Sequence, residues 1–409
     1  MTAVRAGARR ALALWAHGQG VNGALGLGHT APAKEPVRVL GGVARAAAGW
    51  GHSAVLTDTG QLVLSGRTHD VQQIIRFGRL QQSESPLLSL YEMFGSKNSI
   101  DSLELAVVDP APFSGSGRLC EVVASAGLTA VVSEDGKLFM MGNNVYGQCA
   151  DGTRDQFIYK PSQVKGLDGP VAQVALGFRH GIALTRAGKV FCWGKGGRGQ
   201  VGQGKGTAQD YLTAVKVARL PGRAVEIAAG FNHSLALLED GRVFVWGKFQ
   251  KQTEDKVDFE DAFIPIQVDF NGVAVRRIWA GYFHSVALTS TNQLFQWGRL
   301  SDKAVSAHPD VRKQIDAGET QLARSTVVRP VSVQVSSEWV MDHDLEVSLG
   351  TDLTYVTASS LDRPLVWDWN LSPVPLDLFE PRCVDLVRSH RVRRVVPGWQ
   401  HTLYLTEEE

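Results

Sequence analysis

One pattern of about twenty residues returns along most of this chain, and a chain that repeats itself at a fixed interval has few folds open to it. The copies are AAGWGHSAVLTDTGQLVLSG from Ala47, ALGFRHGIALTRAGKVFCWG from Ala175, AAGFNHSLALLEDGRVFVWG from Ala228, WAGYFHSVALTSTNQLFQWG from Trp279 and VPGWQHTLYLT from Val396. VASAGLTAVVSEDGKLFMMG from Val123 and SLGTDLTYVTASSLDRPLVW from Ser348 are degraded but in register, which makes seven copies. With the glycine of G-x-x-H as marker (Gly49, Ser125, Gly177, Gly230, Gly281, Gly350, Gly398), the intervals are 76, 52, 53, 51, 69 and 48 residues. Each copy alternates apolar residues around a polar turn, as in His233 to Leu238, then Glu239-Asp240-Gly241, then Val243 to Trp246. Period-two alternation around Asp-Gly predicts a hairpin. A further strand such as Ala224 to Ala228 precedes each marker, and the segment between copies supplies a fourth. Four strands in each of seven units predict an all-β fold, a seven-bladed β-propeller over residues 11–409.

The two ends complete each other. LALWAHGQGVNGALGLG, from Leu12, matches the second strand of a unit and the glycine turn after it, whereas GWQHTLYLT near the C-terminus matches the first. Together they predict one shared blade that closes the ring and removes its free edges. Residues 1–10 form a basic tail with Arg5, Arg9 and Arg10 and no acidic residue before Glu35, a composition shared with mitochondrial targeting segments. Two stretches leave the repeat. In 67–120, Val71, Ile74, Ile75 and Leu80 follow helical spacing and Ser85-Pro86 suits a helix start, so a partly helical insertion is expected. Residues 300–325 are polar and poor in aromatics, and are read as a loop insertion.

Charge and composition narrow the function. Forty-two Lys and Arg against 41 Asp and Glu leave a formal charge of +1, so no global field draws the chain to DNA or an anionic membrane. Cys120, Cys149, Cys192 and Cys383 are widely spaced with no C-x-x-C pair, and read as reduced, buried thiols rather than zinc ligands or a disulfide frame. No apolar run reaches the ~18 residues of a membrane span. There is no G-x-S-x-G elbow or H-E-x-x-H, so neither an enzyme nor a small-molecule substrate, cofactor or metal is expected.

CWGKGGRGQVGQGKG, residues 192–206, imitates nucleotide-binding turns: Gly194-x-Gly196-x-x-Gly199 has dinucleotide spacing, and Gly199 to Lys205 is nearly a P-loop. In repeat register Trp193-Gly194 ends a strand and Gly199-Gln200-x-Gly202 is the same feature as Gly147-Gln148. No helix follows to meet a phosphate, and Gly206 stands where Ser or Thr would bind magnesium. The glycines are therefore read as turn residues. His52, His180, His233, His284 and His401 occupy equivalent points of five units. A residue present once per blade is better explained by the blade, as a buried imidazole tying neighbouring strands, than as a ligand of one ion.

The G-[FWY]-x-H-[ST]-x-x-L-T units, followed by x-W-G and G-Q-x-G, resemble the repeats of the regulator of chromosome condensation family from about residue 11 to 406. MGNNVYGQC (Met141 to Cys149) and GVNGALGLG (Gly20 to Gly28) look most like its mitochondrial branch. The resemblance implies this propeller and a protein-interaction role rather than catalysis. It puts first a scaffold in the mitochondrion, with the ribosomal large subunit and its RNA as partners; a cytoplasmic or nuclear location is the other possibility. It implies as alternative a guanine nucleotide exchange factor for a small or dynamin-like GTPase. The founding member does this with an extra β-wedge and acidic residues on one face, and no stretch of the sequence matches that wedge. A plant ultraviolet-B photoreceptor of the family uses clustered tryptophans, but only Trp50 and Trp399 are available here after the marker glycines, which argues against light sensing. Arg76 and Arg79 in the insertion, and Arg388, Arg391, Arg393 and Arg394 near the C-terminus, are the candidate partner-binding residues, suited to an acidic surface or RNA phosphate.

Overall fold

Apolar alternation becomes antiparallel strands in the computed structural model, which describes residues 12–66, 102–204, 209–248, 251–252, 257–258, 261–282, 284–299, 326–333, 345–350, 353–358, 361, 363–368, 382–383, 387 and 390–408. The chain opens with β1 (Leu12–Gly18), the long β2 (Ala33–Ala48), the hairpin β3 (His52–Thr57) and β4 (Leu62–Gly66), and β5 (Ser102–Val107). A first unit follows in β6 (Leu119–Ser125), β7 (Leu128–Ser133), β8 (Leu138–Asn143) and β9 (Phe157–Gln163). The next holds β10 (Val171–Leu176), β11 (His180–Thr185), β12 (Val190–Gly194) and β13 (Tyr211–Lys216). Then come β14 (Ala224–Ala229), β15 (His233–Leu238) and β16 (Val243–Lys248), a short ribbon of β17 (Lys251–Gln252) and β18 (Val257–Asp258), and β19 (Asp261–Val268). The last units are β20 (Val275–Ala280), β21 (His284–Thr289), β22 (Leu294–Arg299) and β23 (Thr326–Val333), and β24 (Glu346–Leu349), β25 (Leu353–Thr357), β26 (Leu365–Asp368) and β27 (Arg382–Cys383). β28 (Val392–Pro397) and β29 (His401–Glu407) end the chain.

The sheets correct the expected count of seven separate blades. Among the described residues five sheets are four-stranded blades, while the rest of the ring is one seven-stranded sheet in the order β28-β29-β1-β2-β3-β4-β5. The cause is β2. Its N-terminal part pairs with β1 (Ala33↔Gly18, Leu40↔Leu14) and its C-terminal part with β3 (Ala46↔Val55, Ala48↔Ser53), so one uninterrupted strand passes through what the repeat would divide. Gly42, at φ +65, turns the backbone between the two halves without ending the pairing. No α-helix forms among the described residues; the stretches of the insertion where helical spacing was expected, Val71 to Leu80 and from Ser85, lie outside them, and its described part contributes β5 and a 3-10 turn at Ala111–Phe113. Residues 1–11, 67–101 and 300–325 lie outside the described residues.

Sheets packed face to face leave their middle strands no solvent side, so β7, β11 and β21 are buried along their whole length. The core therefore sits between neighbouring blades: Ile182, Leu184 and Cys192 of one meet Ile227, Ala236 and Leu238 of the next. β29 is hydrogen-bonded between β28 and β1, with Trp15 opposite Tyr404, and the Trp15 indole donates to Thr406 Oγ1 at 3.0 Å. The two chain ends thus share a sheet, as their complementary sequences require.

Candidate partner-binding face

The inner strands β2, β6, β10, β14, β20, β24 and β28 surround an axial cavity of about 400 Å³. One end of the propeller carries the G-x-x-H turns and the x-W-G strand ends, and the other the Asp-Gly hairpins. At the G-x-x-H end five rings from five inner loops meet over the axis. Phe178 stacks on Trp50 and on Phe231, with centroids 4.5 and 4.2 Å apart, and Trp399 lies 4.5 Å from Trp50 and edge-on to Tyr282. Backbone bonds tie the same loops: Phe178 N donates to Phe231 O, Phe231 N to Tyr282 O and Trp399 N to Gly49 O. The rings close the channel at this end above a smaller cavity of about 110 Å³.

Beneath them lies a circuit of imidazoles. His401 Nε2 pairs with Ser53 Oγ (2.9 Å), His52 with Thr129 (3.2 Å), His180 with Ser234 (3.0 Å), His233 with Ser285 (3.0 Å) and His284 with Thr354 (3.4 Å). In each pair the hydroxyl belongs to the following unit of the ring. Burial holds His180, His284 and His401 down to about 3 and His233 to about 4, so these four are neutral near pH 7. The rings are spread around the axis, and among the described residues no three His, Cys, Asp or Glu side chains group closely enough to hold a metal ion. Among the described residues no helix is long and apolar enough to cross a membrane.

The glycine-rich stretch is a seam between blades. Gln200 is fully buried, and its carbonyl accepts from the Trp246 indole (2.8 Å) and Ser234 Oγ (3.2 Å); the Trp193 indole likewise donates to Gln148 O. Gly199 and Gly202 have φ of +80 and +70, and a Cβ on Gly199 would lie 2.3 Å from Ala262 O. The acceptors of this turn are thus engaged by protein, and Lys205 lies outside the described residues. Cys149 and Cys192 are buried and desolvation raises both thiols, whereas Cys120 is exposed.

The candidate arginines that are described, Arg391, Arg393 and Arg394, meet different surroundings. Arg393 Nε donates to Glu407 Oε1 at 2.7 Å on the neighbouring strand, and Arg394 lines the axial cavity. Arg391 is half-buried just before β28, while Arg76, Arg79 and Arg388 lie outside the described residues. Arg394 belongs to a series, because each inner strand except β24 bulges at one point: at Arg45, Glu121, Gln173, Glu226, Arg277 and Arg394. Gln173, Glu226, Arg277 and Arg394 of this series line the axial cavity. Gln173 there exchanges hydrogen bonds with the backbone of Ile227, and Glu226 accepts from Ile278 N and Arg277 Nε, each at 3.0 Å. Burial raises Glu226 and lifts Glu121 to about 7, against the lowering influence of Arg394 and Arg45 on Glu121.

Two features stand outside the repeat at the G-x-x-H end. The ribbon β17–β18 pairs Lys251 with Asp258 and Gln252 with Val257, and extends the loop between β16 and β19. Its sequence, KQTEDKVDFED from Lys251, holds five acidic residues and two lysines. The excess length and acidity between a strand end at Trp246-Gly247 and the next strand was the signal that sequence reading passed over. At the same end, Lys195 Nζ lies 4.3 Å and the Arg179 guanidinium 5.2 Å from the centroid of the Tyr146 ring.

The regulator of chromosome condensation (RCC1) repeat model matches residues 13–56, 135–184 and 187–237, and a second model of that repeat matches 171–200 and 224–251. The chain is 26% identical over 386 residues to the mouse secretion-regulating guanine nucleotide exchange factor, covering 88% of this chain and 75% of that one. The bovine protein of the same name is 28% identical over 307 residues, 71% of this chain and 60% of its own length. Human WBSCR16 superposes with a TM-score of 0.73 at 20% identity, over 98% of this chain and all of that one. Yeast (Saccharomyces cerevisiae) Prp20p, whose structure is described with its binding to Gsp1p and histones, gives 0.73 at 19% identity over 98% and 93%. At these identities the solved structures share the fold.

Proposed function

Because the chain belongs to the regulator of chromosome condensation repeat family, we propose that it is a guanine nucleotide exchange factor that holds a small GTPase against the G-x-x-H end of its propeller. The observation that carries this reading is the ribbon β17–β18, a two-stranded element outside the four-stranded pattern and rich in acidic residues. It is the kind of feature that the resemblance associates with exchange. The names of the mouse and bovine relatives point the same way. No atom needs to be transferred. A protein that binds the nucleotide-free GTPase more tightly than the loaded form weakens nucleotide binding by the same factor, since coupling between two ligands is reciprocal. An acidic ribbon suits that task, because it competes with nucleotide phosphates for the cations that hold them. The ribosomal scaffold that the resemblance put first draws no support from the relatives.

The test is nucleotide release. Small and dynamin-like GTPases loaded with a fluorescent GDP analogue are mixed with the purified chain, and at least one is expected to release faster. Replacing Lys251–Asp258 by a Gly-Ser linker should abolish the acceleration with the melting temperature unchanged. No acceleration across the panel overturns the reading.

A further inference from the structure

The ribbon has a basic neighbour. Lys195 follows β12 directly, and its backbone N–H donates to Arg179 O at 2.8 Å, which fixes the two residues side by side at the G-x-x-H end. Lys195 Nζ sits 4.3 Å from the centroid of Tyr146, and the Arg179 guanidinium lies over both Tyr146 (5.2 Å) and Phe178 (4.8 Å). Arg179 is largely buried, yet its Nε has no hydrogen-bond partner, so aromatic faces supply much of its surroundings. Arg198, about half exposed, reaches Asp261 at 3.5 Å, the first residue of β19 and so the foot of the ribbon. The loop that carries Arg198 is tied there a second time, by Gly204 N donating to Phe263 O at 2.7 Å. Arg154 and Lys195 therefore act on the carboxylate of Asp210 and Arg198 on that of Asp261, with Arg179 held against Tyr146 and Phe178.

We propose that the surface of Tyr146, Arg179, Lys195 and Arg198 receives an acidic segment of the GTPase while the ribbon engages the nucleotide side; this rests on the exchange-factor reading. Charge complementarity selects the occupant. A compact cluster of three cations in a chain of net charge +1 is too small for the extended phosphate array of nucleic acid. It suits a carboxylate-bearing segment, with Tyr146 and Phe178 holding the cations in place and so reducing the entropy lost on docking.

The experiment titrates the full chain against a GTPase that responds in the release assay, comparing wild type with Lys195→Glu/Arg198→Glu. The concentration for half-maximal acceleration should rise on the order of 10-fold at low salt, and the gap should narrow at high salt. An unchanged concentration overturns the proposal and leaves the exchange reading standing. If the double reversal lowers the melting temperature, Lys195→Gln/Arg198→Gln is read instead, with a smaller rise expected. Fluorescence anisotropy of labelled poly-glutamate needs no GTPase: binding that the variant lacks supports the surface, and no binding by wild type overturns it. Failure of the release screen alone removes the exchange reading and leaves this measurement to decide. A dimer in sedimentation that the variant dissociates assigns the surface to a second copy and overturns the proposal too.

Discussion

A Cβ on Gly177 would lie 2.1 Å from Cε1 of His180 and 2.7 Å from the carbonyl oxygen of Gly230 in the next blade, so this glycine makes room for the histidine three residues on. The chain contains its own control. In the β6–β9 blade Leu128 replaces the histidine, Ser125 replaces the glycine, and the serine hydroxyl donates to Gly177 O at 2.9 Å. Gly177→Ser should therefore destabilise by about 1–3 kcal/mol through overpacking. In a His180→Leu background it should cost measurably less, which a double-mutant cycle by urea unfolding reads directly; additive effects would disprove the pairing. Trp246→Phe removes the indole donor to Gln200 O, but Ser234 Oγ still serves that carbonyl. Its cost should reach about 1–3 kcal/mol in the same assay, since the smaller ring leaves a gap at a fully buried site beside the lost hydrogen bond. These positions were legible as structural because they recur once per unit. Their partners were not, since an imidazole and the hydroxyl it meets are separated by a whole repeat and only the ring closes that distance.

Strands were legible as elements wherever a hairpin separates them, and illegible where pairing departs from simple alternation. Gly41-Gly42 turns β2 without breaking its pairing, so the boundary between two expected blades vanished into one strand. The inner-strand bulges hid in a similar way. In β28 the register shift between Val392 and Arg394 sends Arg394 into the axial cavity, which simple alternation does not show. Glu121 occupies the same point of β6, where burial lifts it from an ordinary 4.5 to about 7. Its folded value lies above its unfolded one, so the folded chain holds the extra proton between these limits and loses stability as pH rises through them. Glu121→Gln removes the buried carboxylate and puts there the side chain that Gln173 already uses at the equivalent point. The variant should gain on the order of 2 kcal/mol over wild type at pH 8, with the gain shrinking toward pH 5. Melting curves of both proteins across that range check it; a gain independent of pH would mean that the carboxylate is not responsible.

At the scale of the whole molecule the ring couples its units, and the histidine circuit shows how tightly. Closure was readable because each chain end matches a different strand of one unit, and β29 does lie between β28 and β1. The proposed partner face was not read from the repeat, because the ribbon's signal is excess length and acidity between strands rather than a recurring residue. Every imidazole of the circuit bonds a hydroxyl of the following unit, so charging one of them strikes a seam rather than a single strand. His180, His284 and His401 are held near 3 and His233 near 4, all below the ordinary 6.5. Above about pH 6.5 these imidazoles are neutral in both the folded and the unfolded chain, and their stabilising effect is complete. As pH falls below that value the unfolded chain takes up protons that the folded chain refuses, and stability declines until the folded values are reached. Four such sites would take up nearly four protons on unfolding near pH 5. Glu121, which favours the folded chain as pH falls from 7 to 4.5, offsets about one of them, leaving roughly three times the single-site slope of about 1.4 kcal/mol per pH unit. Urea midpoints measured from pH 7 to pH 4 should therefore fall steeply in one cooperative transition. Glu121→Gln should steepen the fall, whereas His233→Gln should flatten it while lowering stability at pH 7. A midpoint that stays level over this range would show that the imidazoles are free to ionise in the folded ring.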